Sequence, residues 1–88
     1  MEKIELKVSS KTNPNSLAGA IAEFLKEGKI INIKTIGAGA LNQAMKGITI
    51  AKGFVVIQGI EISCVPSFYS TEIDGQEISA IMILVERK

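Results

Sequence analysis

The sequence predicts an α/β two-layer sandwich of order β-α-β-α-β-β, with four strands in one mixed sheet and two helices on one face. Three observations predict it. The run KIELKV (residues 3–8) alternates charged and apolar residues, which is the period of a half-buried strand. Two later stretches switch to helical period, and each leads into a run rich in β-branched residues. Near the end, Asp74-Gly75 separates two apolar runs. That dipeptide suits a tight primed turn, because both central positions there take positive φ.

The elements follow in order. In the first strand Ile4, Leu6 and Val8 share one face, and Lys3, Glu5 and Lys7 the other. SSKTNPN (residues 9–15) breaks the alternation with turn residues and Pro14. Asn15 or Ser16 is the expected cap of a helix running through Glu27, with the stripe Leu17, Ile21, Phe24 and Leu25. Gly28 marks its end. KIINIKTI (residues 29–36) is the second strand. After Gly37, the residues Leu41, Ala44, Met45, Ile48 and Ala51 recur at helical spacing and predict a core-facing stripe. Gly53 is the expected stop of that helix, with FVVI (residues 54–57) extending it or beginning the next loop. IEISCVPSF (residues 60–68) reads as the third strand and EISAIMILVE (residues 77–86) as the fourth. Pro66 implies that the third strand is an edge or carries a bulge. The strand-helix-strand units require right-handed crossovers between parallel strands, and the closing hairpin is antiparallel.

Size and composition narrow the function. The chain has 88 residues, 47% hydrophobic and 22% charged, which suits one small globular domain, residues 1–88. No apolar run approaches the roughly 20 residues of a membrane-spanning helix. The start MEKIELKV lacks the pattern of a signal peptide, so a cytoplasmic protein without membrane association is expected. The single cysteine, Cys64, lies among Ile and Val and is expected to be a small buried hydrophobe. With no histidine in the chain, most catalytic triads and most zinc sites are excluded. No pair of inward carboxylates or activated nucleophile can be assembled either. The expectation is a non-enzymatic protein without metal or cofactor.

The stretch TIGAGALNQAMKG (residues 35–47) places two glycines between strand and helix, where a phosphate-cradling turn would be. A dinucleotide fingerprint needs a third glycine where this chain has Asn42, and no Walker lysine motif occurs. Gly37 and Gly39 therefore serve first as a sharp turn, with Ala38 and Ala40 permitting close approach to a neighbour. The helix N-terminus there, beside Asn42 and Gln43, remains a modest anion site that a nucleic-acid phosphate would suit. On the face of this helix opposite its core stripe, Gln43, Gly47 and Ile50 are followed by Phe54. A helix-interior glycine costs about 1 kcal/mol unless close packing compensates, so these four residues predict a homodimer interface, with a tetramer as the larger alternative. The competing reading folds Ile50 and Phe54 under the hairpin.

Charge is unevenly spread. Residues 7–52 carry seven lysines and two glutamates, a net of +5, whereas residues 53–88 carry a net of −3. The overall pI near 7.8 is below the value of about 9 expected of a strong nucleic-acid binder.

The segments LKVSSKTNPNSLAGAIAEFL, IGAGALNQAMKGITIAKGF, CVPSF and EIDGQEISAIMILVE together resemble the stage V sporulation protein S family of bacteria over essentially the whole chain. The family pattern A-I-G-A-G-A-L-N-Q-A is nearly intact, with Thr35 in place of the usual alanine. The element order is in turn similar to that of Alba, the archaeal chromatin protein, and the resemblance implies an Alba-like fold. Proteins of the Alba type bind DNA or RNA as dimers, through a loop lysine, basic residues near the second turn, and a hairpin arm. Carried onto this chain, the resemblance implies a nucleic-acid site at Lys11, Lys34, Gly37, Gly39, Asn42 and Lys46. The sequence departs from that pattern twice. Ile36 and Ala38 stand where arginines are usual, and the hairpin STEIDGQE carries Glu72, Asp74 and Glu77 with no base. The implied function is a small, sequence-tolerant nucleic-acid-binding regulator of sporulation or development. The alternative is an oligomeric protein-interaction module that has lost those contacts.

Overall fold

The computed structural model describes residues 2–88. Alternation in KIELKV makes β1 (Lys3–Val8), and the chain continues through α1 (Pro14–Lys26), β2 (Ile30–Thr35), α2 (Ala38–Val55), a 3-10 turn (Val56–Gln58), β3 (Ile62–Ile73) and β4 (Gln76–Arg87). The sheet order is β1-β2-β4-β3, with β1 and β2 parallel and the other pairs antiparallel. This is the mixed four-stranded sheet that the sequence predicts. Pro66 lies on β3, an edge strand, where its missing N–H removes no ladder bond from the sheet interior.

One face of the sheet carries the core. Val8, Ile31, Ile33, Ile83 and Val85 meet Leu17, Ala18, Ile21 and Leu25 of α1 and Ala44, Ile48 and Ala51 of α2. Each fully buried Ile, Leu or Val here contributes about 1.5–3 kcal/mol. The alternate residues of the strands, among them Lys3, Glu5, Lys7, Asn32 and Lys34, turn to the uncovered face. A smaller cluster of Ala22, Val55 and Ile60 seals the end of α2.

Several expectations are corrected. The cap of α1 is Asn13, whose side chain accepts hydrogen bonds from the backbone N–H groups of Asn15 and Ser16; Pro14 occupies the first helical position, where its missing N–H is harmless. Gly53 does not stop α2, which runs to Val55 because burial of that side chain outweighs the glycine cost. Met45 is 43% exposed and stands outside the core. Cys64 is exposed, not buried, because the helices pack on each other and chiefly on β1 and β2 and leave the helix-side face of β3 open. Partial shielding of the thiol still raises its pKa, so Cys64 is protonated at neutral pH.

The third strand runs further than expected, to Ile73. β3 and β4 pair from Ile62 with Arg87 to Ile73 with Gln76, whereas β2 covers β4 only between Ile81 and Val85. Beyond Ile81 the hairpin is a two-stranded arm. Its turn is Asp74-Gly75, with φ of 53° and 77°, the positive pair a primed turn requires.

Candidate nucleic-acid interface

Because β1 and β2 are parallel, their C-terminal ends lie side by side. The loop before α1 and the glycine turn before α2 therefore meet at one end of the sandwich. The loop is closed by its own bonds: the Ser9 N–H donates to Thr12 Oγ1 at 2.9 Å, and the Lys11 N–H donates to Ser9 Oγ at 3.1 Å. Lys11 is thus held on a defined turn with its side chain exposed.

Two residues dock this loop onto α2. Gln43 Nε2 donates to the Thr12 carbonyl at 2.9 Å. A Cβ at Gly39 would stand 3.0 Å from Ser10 Cβ, so glycine allows the two segments to touch. Gly37, at φ 90°, is the N-cap residue and supplies no side-chain cap. The first-turn N–H groups of α2 accordingly point outward without a side-chain partner, at the positive end of the helix dipole.

The structure brings Lys11, Gly37 and Gly39 together at this end. Asn42 and Lys46 lie one turn apart on the exposed outer side of α2. Lys34 stands on the other layer, on the uncovered sheet face, with Nζ 3.2 Å from Glu5 Oε2 and 5.4 Å from the centre of the Tyr69 ring. Lys34, near the C-terminal end of β2, borders the same end from the sheet side, whereas Lys46 lies midway along α2. Sequence reasoning missed Lys7, which the register sets directly beside Lys34, and Tyr69, whose hydroxyl donates to the Thr35 carbonyl at 3.2 Å. Alternation placed Lys7 on the charged face, but only the register of β1 on β2 reveals its neighbour.

The expected dimer face is only partly exposed. A Cβ at Gly47 would meet Leu17 Cδ2 at 2.6 Å, so the close packing that this glycine permits is with α1 of the same chain. Gln43 is engaged by the loop, and Ile50 is half-buried against the core. Of the four, Phe54 alone keeps a large exposed side chain, at 46%. Exposed apolar side chains stand on both flanks of α2 and the turn after it, Phe54 and Ile57 (85%) on one and Met45 and Val56 on the other, and on β3, where Phe68 is 78% exposed. Leu41, Phe68 and Ile81 line a groove of about 320 Å³ between them.

Among the described residues no group of three or more His, Cys, Asp or Glu could hold a metal ion. No helix among them is long and apolar enough to cross a membrane. The family model for stage V sporulation protein S matches residues 4–88.

Proposed function

This chain belongs to the stage V sporulation protein S family and is a sporulation-related protein, and we propose that in that setting it acts as a small, non-enzymatic, sequence-tolerant nucleic-acid-binding regulator. The observation that carries this reading is the docking of the Lys11 loop onto the uncapped start of α2. A phosphate seated there would meet an ammonium group and outward backbone N–H groups together, and phosphate neutralisation supplies most sequence-independent affinity. Lys34 and Asn42 border the same end, and Lys46, midway along α2, extends the contact along the helix.

The working unit is a homodimer joined through Met45, Val56 and Phe68. An apolar surface of this kind on a domain this small marks a contact surface, and a two-fold pair would present two Lys11 loops on one assembly. The acidic arm favours a second reading, an interaction module with a protein partner in place of nucleic acid.

The test is fluorescence anisotropy with labelled duplex DNA and RNA. Lys11→Glu is expected to weaken binding about 10-fold or more at low salt, since it removes one phosphate contact and adds a repulsion. Unchanged affinity in a folded variant would move the site elsewhere, and no binding by the native protein would leave the second reading.

A further inference from the structure

The uncovered sheet face holds an arrangement of which the loop site uses Lys34 alone. Lys7 of β1 and Lys34 of β2 are register partners, and neighbouring strands are about 4.8 Å apart. Like charges set side by side on one face are destabilising. Glu5 relieves this for Lys34, but Lys7 makes no ion pair among the described residues. The pair is therefore short of one negative charge.

Around it the chain builds a concavity of about 430 Å³, lined by Lys7, Ser9, Ser10, Lys34, Tyr69 and Thr71 among others. Tyr69 reaches across β4 from β3 to the Thr35 carbonyl. Its register partner Ala80 is 5% exposed, and a side chain this small leaves room for the ring to cross. Ile36 adds an apolar wall. A volume within the range of roughly 300–1,000 Å³ typical of small-ligand sites exceeds the needs of a bare phosphate.

We propose that this cavity binds a single nucleotide unit, its phosphate between Lys7 and Lys34 and its base against Tyr69 and Ile36. Drawing the Lys34 ammonium onto the phosphate uncovers the ring face that it now shields, and a base can stack there. The unit is a free mononucleotide or an unpaired nucleotide of a strand. The inference deepens the nucleic-acid reading through Lys34 alone, and stands otherwise on Lys7 and Tyr69.

The experiment is an NMR titration of the isotope-labelled full chain with inorganic phosphate, adenosine and AMP, then with single-stranded and duplex oligonucleotides. AMP is expected to shift the amides of Lys7, Ser10, Lys34 and Tyr69, and to bind more tightly than phosphate or adenosine. Lys7→Ala should weaken AMP about 10-fold, the loss of one charge-assisted hydrogen bond, while Lys26→Ala, at the far end of α1, leaves it within about 2-fold. A single strand binding about 10-fold tighter than AMP identifies the strand as the source, and equal affinity identifies the free nucleotide. If AMP moves none of these amides at about 10 mM, well beyond millimolar affinity, the proposal is overturned. The same holds if a folded Lys7→Ala binds AMP unchanged. Duplex binding that depends on Lys11 would survive both results, so the two readings fail separately.

Discussion

Two projections leave the same end of the sheet, and they differ in every physical respect. The Lys11 loop is short, closed by its own hydrogen bonds and docked onto α2 through Gly39 and Gln43. The hairpin arm runs five residues past the Thr35–Ile81 pair to Gln76, about 17 Å at roughly 3.4 Å per residue, with no third strand to support it. The loop offers a cation, and the arm ends in Glu72, Asp74 and Glu77. A fixed positive point can register a phosphate, whereas an acidic arm cannot follow a phosphate-lined groove. Under the proposed nucleic-acid function, the attraction would lie at the loop and the arm would limit how a polyanion approaches. At its root the arm is apolar, with Phe68 outward.

The largest effect should come from that root. Phe68→Asp is expected to destabilise the proposed homodimer by about 2 kcal/mol or more, the scale of a central aromatic contact. Sedimentation is expected to show a dimer for the native protein and a monomer for the variant; a variant that stays dimeric places the interface elsewhere, and a monomeric native protein removes the proposed dimer. Next comes the loop's seat. Gly39→Val drives a branched side chain into Ser10 and should cost about 1–3 kcal/mol of stability while weakening nucleic-acid binding. Chemical denaturation reads the first and anisotropy the second, and full retention of both would show that the loop does not depend on its docking. The smallest effect belongs to the arm tip. Neutralising Glu72, Asp74 and Glu77 as Gln, Asn and Gln should raise duplex affinity about 2- to 5-fold at low salt, with the gain fading near 1 M as screening shortens to about 3 Å. A fall in affinity would mean that the acidic arm takes part in binding.

The order of elements was legible because strand alternation in KIELKV, helical spacing along α1 and Asp74-Gly75 are local signals that agree with the burial the fold needs. The position of Lys11, exposed in a polar loop before a helix, was legible for the same reason. What escaped depends on neighbours distant in sequence. Periodicity gave a face of α2 but not which flank α1 would cover, so Gly47 was assigned to a partner and Met45 to the core. Cys64 sits in an apolar run, yet its exposure follows from helices that stop short of β3. Lys7 beside Lys34 and Tyr69 over Ala80 are consequences of register, which no single segment encodes.

The most direct measurement of the central claim is the salt dependence of duplex DNA binding by the native protein. The account predicts that log K falls linearly with log salt, with a slope of several phosphates at about −0.9 each. An affinity that does not change with salt, or no binding even near 50 mM, where phosphate contacts are at their strongest, would contradict it.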